Sequence, residues 1–136
     1  MNRLIAVTLL ALAGCGGGEA GTGPSAEAAA AGTYSLRTVN GAPIPVAVTP
    51  ANSPVKIEIV GGTATLRSDR TFSSSTDVRT TNGTMVSTAP TSYTGTYVVS
   101  GGAVTFSASD GTTIPGTIVG NTLSIAQQGV TLGMTK

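Results

Sequence analysis

Few side chains in this sequence could do covalent or acid–base chemistry, and their spacing sets the terms. Cys15 is the only thiol, and there is no histidine, so the commonest general base and metal ligand is missing. The carboxylates Glu58, Asp69, Asp77 and Asp110 stand singly along the chain. Glu58 lies beside Lys56 on the polar side of a strand-like run. Asp69 and Asp110 lie at turns, where Asp is favoured for bonding nearby backbone. No spacing marks any two of them as an acid–base pair, and no phosphate or calcium loop occurs. Asn82-Gly83-Thr84 matches a glycosylation sequon and is equally a turn signal. The expectation is a protein that is not an enzyme and uses no cofactor and no metal. That leaves Cys15 as a site of attachment and the aromatics, three Tyr and two Phe in all, as candidates for ligand contact.

Cys15 closes a three-part leader. Met1-Asn2-Arg3 is a positive start, Leu4 to Leu12 is apolar apart from Thr8, and small residues lead to the cysteine. The apolar run is about nine residues, roughly 14 Å as a helix at ~1.5 Å per residue, too short for a bilayer core of ~30 Å. Leu12-Ala13-Gly14-Cys15 resembles the lipobox of bacterial lipoproteins. The resemblance implies a signal peptide over 1–14, cleavage before Cys15 and a diacylglyceryl group on its thiol. Two or three acyl chains hold a protein at a membrane where one holds only marginally. Gly16 stands where an aspartate favours inner-membrane retention in enterobacteria. The address that the resemblance implies is therefore the cell envelope, at the outer membrane of a Gram-negative bacterium. With its single cysteine lipidated, the mature chain has no disulfide and must be stable through its own core.

The elements behind these residues are expected in two parts. Residues 15–31 are the lipidated cysteine and a Gly/Ala-rich stretch read as a flexible tether, which holds at most one helical turn near its end. Residues 32–136 form one domain. Without Arg3, the seven basic residues become six against six acidic ones, so the mature chain has no formal charge. There is no basic patch for nucleic acid and no polybasic stretch for anionic lipid.

Period-two alternation runs through the domain. Val55, Ile57 and Ile59 oppose Lys56 and Glu58, while Leu123 and Ile125 oppose Thr122 and Ser124. This is antiparallel sheet with one wet side, rich in the β-branched Thr that suits a pleated surface. Gly61-Gly62, Asn82-Gly83, Gly101-Gly102, Asp110-Gly111 and Gly120-Asn121 read as hairpin turns. They predict strands over 33–39, 55–60, 63–68 and 71–80, a short one near 84–88, and a meander over 95–100, 103–109, 113–119, 122–127 and 130–135. Residues 76–92 read as a polar loop with a mobile tip. The fold class is all-β: a small antiparallel up-and-down barrel, or alternatively a rolled β-sandwich.

Gly32-Thr33-Tyr34 opens the first strand and recurs as Gly95-Thr96-Tyr97. With the order of Gly-Gly, Asp69-Arg70-Thr71-Phe72 and the final meander, it resembles the Gly-x-Trp opening of small lipocalin-like barrels. Tyr34 stands in place of Trp, and Arg70 in place of the Gly that often follows the turn aspartate. The resemblance implies a barrel able to hold a small apolar ligand. Alternation puts Tyr34, Phe72 and Phe106 on the core face, with either Tyr97 or Val98. Tyr34, Phe72, Tyr97 and Phe106 are therefore the candidate ligand-binding residues, or else simply the core of a small domain. Residues 40–54 carry four prolines around Ile44, Val46 and Val48. They read as a lid over a barrel mouth or a partner-binding edge, or as a loop whose Ile44 plugs the barrel end.

Two functions stay open: a binding module for a small apolar ligand, and a filled structural or interaction module that meets an envelope protein. In both, the membrane partner is reached through lipid on Cys15. Replacing Cys15 by Ser should leave the protein without acyl chains and release it from membranes on fractionation. A variant that still sediments fully with membranes would show that another attachment operates.

Overall fold

Thr- and Val-rich alternation produces ten strands in the computed structural model, which describes residues 25–136. The signal segment, Cys15 and the tether up to residue 24 lie outside the described residues. The strands are β1 (Gly32–Val39), β2 (Ala42–Pro43), β3 (Val46–Ala47), β4 (Lys56–Leu66), β5 (Thr71–Asn82), β6 (Met85–Ser100), β7 (Ala103–Ala108), β8 (Thr113–Val119), β9 (Thr122–Gln127) and β10 (Val130–Thr135). From β4 onward each pairs antiparallel with the next, and β10 pairs with the later half of β1. The first half of β1 pairs with the end of β4, Gly32 opposite Leu66 and Ser35 opposite Thr63. That pairing closes an eight-stranded up-and-down barrel, and the rolled sandwich is set aside. β2 and β3 are two-residue strands flanking β1 and β4, so residues 40–54 are partly built into the sheet.

Three segments depart from the sequence expectation. Gly61-Gly62 is not a hairpin turn: β4 runs straight through it, with a bulge at Val60 between the pairs Ile59–Val78 and Gly61–Asp77. The bulge shifts the side-chain phase by one residue. Ile57 and Ile59 face inward before it, and Ala64 and Leu66 face inward after it. Both apolar sets therefore fit one strand, where a regular strand would turn one set out to water. Residues 76–92 are also no loop. β5 and β6 pair from Thr71–Thr96 to Asn82–Met85, which absorbs the separate strand expected near 84–88. Pro90 is tolerated inside β6. The Tyr97 N–H bonds the Arg70 carbonyl, so the alternate residues that include Pro90 turn their backbone nitrogen to the free edge. A missing donor there costs no ladder bond and blunts an exposed strand edge.

The third departure is the tether's end. Ahead of β1 the described residues carry helix α1 (Ala26–Ala30), held in place by the barrel. The Ser25 side chain accepts the Ala28 N–H at 3.1 Å, which caps the helix start. A helix this short has no stability of its own; the barrel holds it. The Tyr34 hydroxyl donates to the Ala30 carbonyl at 2.7 Å. The Tyr97 hydroxyl lies 3.0 Å from the Glu27 carbonyl and 2.7 Å from that of Arg67. Lys136 Nζ donates to the Ala29 and Ala31 carbonyls at 3.1 Å each. α1 thus plugs the end of the barrel where β1 begins and β4, β6, β8 and β10 end. The opposite end carries residues 40–55 and the β5–β6, β7–β8 and β9–β10 turns.

Side-chain volume is concentrated toward the plug. Tyr34, Tyr97, Leu66 and Leu123 are completely or almost completely buried there. Above them Phe72 and Phe106 meet edge to face at 4.9 Å, with Ala64, Ile114, Ile125 and Met134 around them. Tyr97, at 0 % exposure, takes the inward position and Val98, at 54 %, the outward one. Gly95 allows β6 to approach β7 at this level: a Cβ there would fall 2.0 Å from the Ser107 carbonyl oxygen. Deleting the Phe106 ring should cost about 3–5 kcal/mol, the range for a buried aromatic, whereas Val98→Ala should change stability by no more than about 0.5 kcal/mol. Denaturant unfolding of both variants checks the contrast. Equal, small losses would contradict a filled lower barrel.

Candidate functional site

Above the aromatic level the inward positions change character. Along β5 the inward series from the plug upward is Phe72, Ser74, Thr76, Val78; along β9 it is Leu123, Ile125, Gln127; along β10 it is Met134, Leu132, Val130. No aromatic side chain follows in these three series, and Tyr93 of β6, opposite Ser74, is only partly buried; residues of this size leave an eight-stranded cross-section incompletely filled. A cavity of about 340 Å³ opens at the unplugged end. Its apolar walls are Val48, Ile57, Ile59, Val78, Val130 and Leu132, with Pro50 at the rim. Thr76, Thr91, Gln127 and Gln128 supply its polar groups. Val48, Ile57, Val78 and Val130 are only partly buried, so the walls are in contact with solvent at the mouth.

Beneath this cavity lies a void of about 10 Å³ among Phe72, Phe106, Ile114, Ile125 and Met134. It has room for no more than about one water. Thr76, Gln127 and Leu132 border both spaces and therefore form the floor between them.

The four aromatics singled out from sequence lie below that floor. Tyr34 and Tyr97 support the plug, and Phe72 and Phe106 fill the core and touch only the small void. None lines the larger cavity. The cavity residues were legible by another sign. Thr76 and Gln127 continue an inward apolar series with a polar residue, which a filled core disfavours and a wall tolerates. Residues 40–54 contribute Val48 and Pro50 to the mouth, while Ile44, partly buried, packs against the core. Cys15 lies outside the described residues.

The cavity wall is braced from outside by charge. Glu58 stands on the outer face of β4 between Ile57 and Ile59, opposite Arg79 of β5. Its carboxylate accepts Lys56 Nζ at 2.9 Å, and Arg79 Nε and Nη2 at 2.9 and 2.8 Å. The Lys56 ammonium first, then the Arg79 guanidinium, hold the Glu58 carboxyl below its ordinary range. At the turns, Asp69 accepts the Thr71 hydroxyl and N–H, and Asp110 accepts the Thr112 N–H; both carboxyls are lowered by these bonds. Burial pushes the Tyr97 phenol up. In the plug, backbone N–H groups, foremost its own, lower Glu27, with Arg70 3.8 Å away.

No charged side chain lines the cavity. Among the described residues no group of three or more His, Cys, Asp or Glu could hold a metal. The arrangement can enclose an uncharged molecule and offer it hydroxyl and carboxamide partners.

No family model matches this chain, and neither does any curated protein. Part of the barrel is similar to a solved structure. It is that of the Cpx pathway activator NlpE from Escherichia coli, at 15% identity and a TM-score of 0.39. The likeness covers 62% of this chain and 40% of NlpE, so the chain spans well under half of that protein's length. The barrel assignment rests on this chain's own strand pairing, above all β1 with β4.

Acid should loosen the wall and the turns together. Glu58, Asp69 and Asp110 have folded values below their ordinary 4.5 and 3.8. Their contribution is therefore complete above those values and is lost as pH falls through the lowered ones. Melting temperature should be level from about pH 7 to 5 and drop toward about pH 3. Glu58→Gln should melt lower at neutral pH and show a shallower acid drop. An acid limb as steep as the parent's would remove Glu58 from the account.

Proposed function

We propose that this chain is a lipid-anchored cell-envelope protein whose half-hollow barrel binds a small, mainly apolar molecule, without catalysing its conversion. The observation that carries the reading is the cavity of about 340 Å³ at the unplugged end. It lies at the lower end of the ~300–1,000 Å³ range of ligand pockets and has their usual makeup, aliphatic walls with a few polar groups. Its walls come from five strands, β4, β5, β6, β9 and β10, and from Val48 of the long connection, so the site is built into the sheet. The alternative, a filled barrel that serves only as a structural or interaction module, fits the plugged end and not the open one.

Attachment supports the same reading. The chain joins the barrel through α1 at the plugged end. A lipid on Cys15 would hold that end toward the membrane and leave the mouth on the far side. The outer membrane of a Gram-negative bacterium is the address that the leader's resemblance to a lipobox favours.

Native mass spectrometry of the lipidated chain extracted from its own membrane tests the proposal. The expected result is a bound small molecule in the parent and none in Val78→Phe, which places a ring in the cavity. The variant should melt within about 5 °C of the parent, because it fills space instead of opening it. A parent that carries no molecule, and whose melting temperature does not respond to any neutral apolar compound, would overturn the proposal.

A further inference from the structure

Two of the cavity's four polar groups lie deep, away from where an amphiphile with its head in water would need them. Thr76 and Gln127 lie at the floor, on the boundary with the aromatic core, while Val48, Pro50 and Ile57 lie toward the mouth. No buried side-chain nitrogen or oxygen among the described residues lacks a partner. The spare hydrogen-bonding capacity of the interior therefore belongs to groups that face open space, the Thr76 hydroxyl and Gln127 carboxamide at the floor, and the exposed Thr91, across from Thr76, and Gln128. Gln128 Nε2 already lies 3.5 Å from the Tyr93 hydroxyl. No Lys, Arg, Asp or Glu borders the cavity, and the nearest ion cluster, Lys56–Glu58–Arg79, is on the outer face of its wall.

We infer that the ligand is an uncharged molecule that enters polar group first: a hydroxyl, carbonyl or amide seated on Gln127 and Thr76 at the floor, with its apolar body against the aliphatic walls above. This rests on the binding role proposed for the cavity and adds the class and orientation of what binds. A carboxamide both donates and accepts, and a hydroxyl does the same, so the pair can satisfy a neutral donor or acceptor. Neither can compensate a buried charge, which is costly without a counter-ion. A ligand with an ionised head would have to lie the other way round, with its head in solvent and its tail against Gln127 and Thr76.

Three probes of one chain length separate these orientations: 1-octanol, n-octane and octanoate at pH 7. Binding is measured by calorimetry on the full chain carrying Cys15→Ser, so that no detergent competes. Octanol should bind, and octanoate should bind at least about a hundred-fold more weakly. In Gln127→Leu the ratio of octanol to octane affinity should fall by about ten-fold or more, because the buried hydroxyl loses its partner while the alkane gains an apolar one. Thr76→Val should lower the same ratio by a smaller factor, which keeps the test alive if Gln127→Leu folds poorly. Octanoate binding as well as octanol, or a ratio unmoved by both substitutions, would overturn the polar-floor assignment and leave the cavity a binding site of the opposite orientation. Failure of both octanol and octane to bind would overturn the binding role itself.

Discussion

An eight-stranded barrel is just wide enough to be filled by side chains or to hold one small molecule at a given level, never both. This constraint organises the protein. Tyr34, Tyr97, Phe72 and Phe106 occupy the lower levels and fill them, leaving a void of only about 10 Å³. The upper levels carry aliphatic and polar residues and one partly buried aromatic, Tyr93, and about 340 Å³ remains open. One end therefore carries the stability of a small domain that has no disulfide to help it. The other end is free to be a site.

The plug follows from the filled end. The repeated Gly-Thr-Tyr places two tyrosines at the same end of the barrel, one from β1 and one from β6. Each buried ring brings a hydroxyl that needs a partner. The Ala30 carbonyl of α1 meets that need for Tyr34, while the Tyr97 hydroxyl lies between the Arg67 carbonyl at 2.7 Å and the Glu27 carbonyl of α1 at 3.0 Å, so the tyrosines help to hold a helix of five residues that could not form alone. Lys136 adds its ammonium to carbonyls at the helix end, where positive charge is favoured, and lies 5.3 Å above the Tyr34 ring.

Much of this was legible from the sequence, and the misses share a cause. Alternation correctly gave the inward faces of β7, β9 and β10, and Gly101-Gly102, Asp110-Gly111 and Gly120-Asn121 are indeed turns between strands. Gly61-Gly62 carries the same turn signal yet lies in a strand. The inward series Ile57, Ile59 and then Ala64, Leu66 changes from odd to even positions, which a single bulge reconciles and a regular strand does not. Residues 76–92 looked like a loop because Ser and Thr dominate both faces; two long strands that pair with each other need no apolar face at their exposed end. At the tether's end the sequence allowed one helical turn, but the groups that hold it, the hydroxyls of Tyr34 and Tyr97, are distant in sequence. The cavity was not singled out from sequence for a related reason. Aromatics mark burial, and in a barrel of this size burial excludes a cavity at the same level.

The central claim is that the barrel is hollow at one end and filled at the other, and methyl-detected NMR of the full chain during titration with a small neutral apolar compound tests it most directly. The account predicts shift changes and intermolecular contacts at the methyls of Ile59, Val78, Val130 and Leu132, with Leu66 and Leu123 unmoved beside the plug. Changes confined to the outer face, or spread evenly from the plug to the mouth, would contradict it.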